Sequence, residues 1–246
     1  MTRALHQASN LSEGLRKLGA EPVEVAVLEI VAPESYAPLD DALRNLDRYD
    51  WLIITSGNAV RAIAARAAVL GIALEQPIRM KVAAVGEATA AAARSAGLQV
   101  ALVPETYVAE SLVSALSERV RGKRILLARA AVARDVIPDA LRAAGAEVEV
   151  VEAYRNVLPK AAPEQLRHAL AEGLDAATFT SSSSATHLAE AARQAGVPWP
   201  FANLPAISIG PITSQTLREL GWEAAAEAKP SDIPGLISTV VAWFRP

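Results

Sequence analysis

The sequence predicts an α/β protein with parallel sheets, organised as two interlaced domains. Three observations carry this. Apolar runs of four to six residues alternate with longer Ala/Leu-rich helical patterns, as strands covered on both faces and their crossover helices require. The chain repeats itself once: Trp51-Leu52-Ile53-Ile54-Thr55-Ser56 returns as Ala176-Ala177-Thr178-Phe179-Thr180-Ser181, and Val85-Gly86-Glu87-Ala88-Thr89 as Ile209-Gly210-Pro211-Ile212-Thr213. The offsets agree, at 181 − 56 = 125 and 210 − 86 = 124. Finally, two Pro-bearing segments, 30–38 and 155–163, stand at equivalent places inside the repeat rather than at its ends.

In chain order, the first copy has only Met1-Thr2 before Arg3, whereas the second opens on the run 124–128 before Arg129. The first strand of the N-terminal copy is therefore expected to be truncated or absent. Further strands are expected at 23–28, 51–55, 82–85 and 100–103, then at 148–151, 177–180, 207–209 and weakly at 223–226. Helices are expected at 11–18, 39–46, 59–70, 88–96, 109–120, 136–144, 164–172, 185–194, 214–220 and 233–244. Glycines 19, 71, 97, 145, 196 and 221 follow six of these, where a left-handed residue closes a helix. Pro disfavours helix interiors and central strands, so linkers are expected near 30–38 and 152–163. If both cross between domains, 1–32 joins 156–246 in one discontinuous domain and 33–155 forms the other.

Composition narrows the function. A formal net charge of −3 offers no basic surplus for nucleic acid. With no cysteine there are no disulfides, thiol nucleophiles or thiolate metal sites. His6, His168 and His187 are scattered without metal-ligand spacing. No apolar stretch reaches membrane-spanning length and no signal pattern opens the chain, so a cytoplasmic protein with no membrane partner is expected. Aromatics are only 4%, which implies cores of Ala, Val, Leu and Ile.

The candidate chemistry sits where strands end and helices begin, the edge at which open parallel sheets bind ligands. Thr55, Ser56 and Asn58 form one such turn, and Thr180, Ser181 and Ser182 its counterpart. Gly86 with Thr89, and Gly210 with Thr213, form a second pair. Helix N-termini present free N–H groups and partial positive charge, which suits carboxylate or phosphate; N-capping explains the same residues equally well. Neither a P-loop nor a dinucleotide fingerprint is present. Arg3 and Arg129 end the first strands, where each could fork onto a carboxylate or form a structural ion pair. Lys229 adds a cation in the turn 229–231, which matches 104–107 in the other copy. Tyr154 closes a strand before the second linker, where a phenol can donate to a leaving hydroxyl or simply pack.

Taken in order, Gly-Ala-Glu at 19–21, the runs 51–60, 84–90, 104–112 and 122–129, Tyr154, and the turns 179–183 and 209–213 resemble the uroporphyrinogen-III synthase family over essentially the whole chain. The resemblance implies two flavodoxin-like domains joined by a two-stranded linker. It implies a linear tetrapyrrole substrate, hydroxymethylbilane, that loses water, closes, and inverts ring D through a spiro intermediate. It implies no metal or organic cofactor, and a monomer. Tyr154 matches the family tyrosine assigned to the leaving hydroxyl, and Thr89 and Thr213 match threonines of its cleft. Ala4 stands where the family usually has Pro, and Ala128 where it often has a polar residue. An eight-carboxylate substrate on an acidic protein calls for backbone N–H groups at strand ends. Two rival readings are a two-domain polycarboxylate-binding protein without catalysis, and a two-lobed glycosyltransferase.

Overall fold

The computed structural model describes residues 2–4, 9–75, 79–106 and 108–245, with side chains described from Asn10 onward. His6, Tyr107 and the side chain of Arg3 lie outside the described residues. The chain forms two compact units, Met1–Ile30 with Asn156–Pro246, and Val31–Arg155.

The first unit contains β1 (Thr2–Ala4), α1 (Ser9–Arg16), β2 (Val25–Val31), α7 (Ala162–Glu172), β8 (Ala177–Phe179), α8 (Ser182–Ala195), β9 (Ala206–Ser208), α9 (Pro211–Glu219), β10 (Ala224–Glu227) and α10 (Ile233–Phe244). Its parallel strands run in the order β2-β1-β8-β9-β10. The second contains α2 (Ala37–Arg44), β3 (Trp51–Ile54), α3 (Gly57–Leu70), β4 (Lys81–Ala84), α4 (Glu87–Ser95), β5 (Val100–Leu102), α5 (Ala109–Leu116), β6 (Arg124–Ala130), α6 (Val136–Ala143) and β7 (Glu147–Val157). Its order is β7-β6-β3-β4-β5, again parallel throughout. All carboxyl ends within a unit therefore share one edge.

Burial explains the runs. β3 is buried at every position, as a strand covered on both faces must be. Trp51, Ile53, Ile125 and Leu127 meet Leu112 and Leu116 of α5 and Ile137 and Leu141 of α6. Their alternates Leu52, Ile54 and Leu126 are also fully buried and point to the opposite face. In the first unit, Val25, Val27 and Phe179 pack on α7 and α8, while Ile207 packs on Leu11, Leu15, Leu236 and Val240 of α1 and α10. No helix of the described residues is long and apolar enough to cross a membrane.

The structure sharpens three expectations. The first strand is truncated rather than absent: β1 has three residues beside the seven of β6, and Thr2 pairs with Val25 of β2 and with Phe179 of β8. The segments taken for linkers begin and end in regular structure. β2 continues to Val31 and β7 to Val157, because Ile, Val and Tyr favour strand up to the first proline. Pro38 and Pro163 lie in the first turns of α2 and α7, where a missing N–H costs nothing. The core of the first unit is not built from Ala, Val, Leu and Ile alone. Phe179, Trp199, Phe201 and Trp222 meet edge-to-face at 4.9–5.5 Å in the core of the first unit. An average composition cannot reveal such concentration.

The helices that follow the central strands correspond closely. α3 and α8 each have 14 residues and start 182 − 57 = 125 positions apart. Gly71 and Gly196 close them in left-handed backbone, at φ 70° and 68°.

At the amino ends of the second unit's strands, Arg48, Tyr49, Arg124, Glu147, Val148 and Glu149 line a cavity of about 310 Å³. Tyr49 donates to Glu149 at 2.7 Å. Burial, followed by the hydrogen bond and charge of Glu149, pushes its phenol up to about 12. That lies above the ordinary value near 10. The folded state therefore holds the proton more tightly than the unfolded chain, and the stabilisation is complete below about pH 10 and disappears as pH rises through about 12. Urea unfolding across this window is expected to show falling stability, and Tyr49→Phe to flatten the fall. Parallel wild-type and variant curves would rule out this origin.

Candidate active site

In the second unit, Ser56 is extended and caps α3, accepting from the backbone N–H of Ala59 at 3.2 Å. Its Oγ also lies 3.1 Å from the hydroxyl of Tyr154. Tyr154 is buried, with 7% exposure, and its register partner on β6 is the small residue Ala130. Thr55 and Asn58 flank the cap half-buried, and Asn58 accepts from Arg61. Gly86, extended at φ −156°, opens α4 with no side-chain cap. Thr89, one turn into that helix, is 8% exposed.

Arg129 does not project freely at the end of β6. Its guanidinium donates to the Arg134 carbonyl at 2.9 Å and to Asp135 at 2.5 Å, holding the segment between β6 and α6. Its side chain is only 12% exposed. Of the two readings open for this arginine, the structural ion pair is the one formed.

In the first unit, Ser181 caps α8 reciprocally with Ser184: each side chain accepts from the other's backbone N–H, at 3.1 and 3.3 Å. Thr180 is half-buried beside it. Ser182 donates to the Ile212 carbonyl at 3.4 Å and accepts from Thr216 at 2.9 Å, tying α8 to α9. Thr213 is 4% exposed, so Thr89 and Thr213 are both largely buried in the first turns of their helices. Gly210 is glycine for a local reason. Its backbone is extended, but an added Cβ would come within 2.6 Å of Ser231 Oγ. Lys229 is exposed at the end of β10.

One polar chain escaped the sequence reading. Ser208 of β9 shares a hydrogen bond of 2.6 Å with Ser214 of α9, which donates to Glu227 of β10 at 2.6 Å. A serine in the otherwise apolar run 206–209 was the available sign.

The positions brought into direct contact are thus Ser56 and Tyr154. The others line the carboxyl edges as capped or glycine-opened helix starts. Such an arrangement can donate hydrogen bonds to several carboxylates and one phenolic hydrogen bond to a leaving group.

Comparison with known proteins agrees across the chain. A family-wide sequence pattern described as uroporphyrinogen-III synthase HemD matches residues 9–238. A uroporphyrinogen-III synthase from Synechococcus elongatus is 34% identical over 249 residues, covering 99% of this chain and 94% of the relative. Among solved structures, a mutant uroporphyrinogen III synthase from Thermus thermophilus is similar with a TM-score of 0.66 at 23% identity, covering 96% of this chain and 95% of that one. A uroporphyrinogen-III synthetase from Helicobacter pylori gives 0.61 at 20% identity, covering 89% and 91%. At these identities the structures speak for the fold.

Proposed function

The chain belongs to the uroporphyrinogen-III synthase family, and from that premise we propose how its residues divide the work. The activity is that of a cyclising lyase of porphyrin biosynthesis, which converts hydroxymethylbilane to uroporphyrinogen III with loss of water. The match over residues 9–238 carries this conclusion and leaves no observation in favour of a non-catalytic binder.

Hydroxymethylbilane closes spontaneously to the uninverted isomer. The enzyme's work is therefore to bring ring D to the position that inverts it, and to assist departure of the hydroxyl. Tyr154 is the donor in this reading. Its O–H hydrogen goes to the departing hydroxyl, which leaves as water. Ring closure releases a proton from the substituted substrate carbon, so the phenol is regenerated. The observation supporting the assignment is a buried phenol opposite the last residue of β6, paired at 3.1 Å with one hydroxyl.

The substrate carboxylates fall to the backbone N–H groups of the turns 55–58, 86–89, 180–182 and 210–213 and to exposed Lys229. The uncapped start of α4 has first-turn N–H groups to give. Arg129 contributes by fixing the segment after β6. Arg3 keeps the substrate-contact role read from its place at a strand end.

The two units are read as flavodoxin-like domains, 1–32 with 156–246 and 33–155, descended from a tandem repeat. Numbered by place in the repeat, both strand orders become 2-1-3-4-5, the doubly wound order of that fold. The enzyme is read as a cytoplasmic monomer, which sedimentation and cell fractionation would check.

Purified protein is expected to turn hydroxymethylbilane into uroporphyrinogen III. The products are oxidised and isomers I and III separated. Isomer I only, formed at the uncatalysed rate, would overturn the assignment.

A further inference from the structure

We propose that Ser56 is a positioning residue for Tyr154: its hydroxyl donates to the phenol oxygen, so that the phenol's own hydrogen turns toward the departing hydroxyl of the substrate. This rests on the reading of Tyr154 as proton donor and adds a second residue to that step.

The hydrogen-bond inventory permits this direction. A serine hydroxyl has one hydrogen to give and two lone pairs. One lone pair of Ser56 takes the Ala59 N–H at 3.2 Å, which fixes Oγ at the start of α3. Its hydrogen remains, with the Tyr154 oxygen 3.1 Å away. Once that oxygen accepts, the phenol hydrogen is free to point elsewhere. The backbone N–H, the serine and the phenol then form a chain that ends in one oriented donor.

The fold accounts for the pairing. In the order β7-β6-β3, Tyr154 stands two strands from the end of β3, a span of roughly 9–10 Å. A side chain must cross the end of β6 to reach Ser56. Tyrosine is long enough, and Ala130 opposite it is small.

Capping alone does not call for this contact, as the other copy shows. Ser181, 125 positions after Ser56, caps α8 just as well and satisfies its cap reciprocally with Ser184. The position matching Tyr154, at the offset 145 − 19 = 126 of the neighbouring Gly145 and Gly19, is Leu28, which stands opposite Ala4 as Tyr154 stands opposite Ala130 and has no hydroxyl to offer. Among the described residues no phenol meets Ser181. The Ser–Tyr pair thus belongs to one copy only.

The energetics place its effect in the transition state. As the phenol gives up its hydrogen, negative charge grows on its oxygen. A hydrogen bond donated to a charged oxygen is roughly twice as strong as one to a neutral oxygen. The Ser56 bond therefore strengthens as the hydroxyl departs, so its loss falls on kcat and spares KM.

The test is a double-mutant cycle of Ser56→Gly and Tyr154→Phe, with Ser56→Thr beside it. Glycine is a good N-cap residue, so Ser56→Gly removes the hydroxyl while keeping the helix start. Circular dichroism checks the fold of each variant. Ser56→Gly is expected to lower kcat about fivefold at unchanged KM, the size of one modest hydrogen bond. Ser56→Thr should restore most of it, and Ser56→Gly should cost nothing further once Tyr154 is Phe. An equal loss in both backgrounds, or a loss that appears in KM, overturns the proposal while leaving Tyr154 in place. Unchanged turnover in Tyr154→Phe removes the assignment of the donor itself.

Discussion

Tyr154→Phe is expected to lower turnover at least about tenfold, the low side of what a positioned acid or base contributes. The substitution is nearly isosteric. The ring keeps its burial on β7, and the lost hydroxyl touches Ser56 Oγ, whose capping bond to Ala59 persists. Stability should therefore change little, and an unaltered thermal melt is the control. Because the interaction is made as the hydroxyl departs, kcat falls and KM holds. Uncatalysed closure gives isomer I, so the variant's product mixture should also shift toward that isomer under conditions where wild type gives isomer III. Wild-type turnover in Tyr154→Phe would show the tyrosine to be a packing residue.

Phe179→Ala is expected to destabilise the first unit by about 3–5 kcal/mol, as for other buried Phe truncations. Phe179 is fully buried, pairs with Thr2 through β8, and stands edge-to-face with Trp222 at 5.4 Å. Its removal leaves a cavity bordered by rings that cannot collapse without breaking their own edge-to-face contacts. The midpoint should fall by an amount on the order of 10 °C. Trp199 and Trp222 both lie in this unit, so tryptophan fluorescence should report the shift directly. Phe179→Leu should cost less. A shift of only a degree or two in Phe179→Ala would show that the cluster repacks around the gap.

The strands and helices were legible because burial on both faces writes itself as short apolar runs, and because glycine is needed where α3 and α8 end. The caps were legible for the same local reason. Ser56 and Ser181 are the residue type that a helix start prefers, and both do cap. What could not be read is what depends on spatial order. Ser56 and Tyr154 are 98 positions apart, and they meet because the order β7-β6-β3 leaves one strand between them, which a tyrosine can cross. Arg129 looked equally able to bind a ligand or an internal acid. In the structure its guanidinium is held by Asp135, six residues on, a pairing the sequence does not single out. Pro38 and Pro163 misled in the opposite way: a proline breaks a helix in its middle but belongs in its first turn, and position within an element is invisible until the element is placed.

The order in which the two units close their chain has a consequence for synthesis. The second unit is continuous and is complete once Arg155 has left the ribosome. The first is not, because β1 and β2 need β8, which is made later. Val25 and Val27 are covered by α7 and α8, which are complete at Ala195, 195 − 155 = 40 residues after Arg155. At roughly 5–20 residues per second these take about 2–8 s to make. Through that interval the first thirty residues trail a folded body with Val25 and Val27 still uncovered, so a chaperone that binds short apolar strands would find its opening there and not in the later-made half.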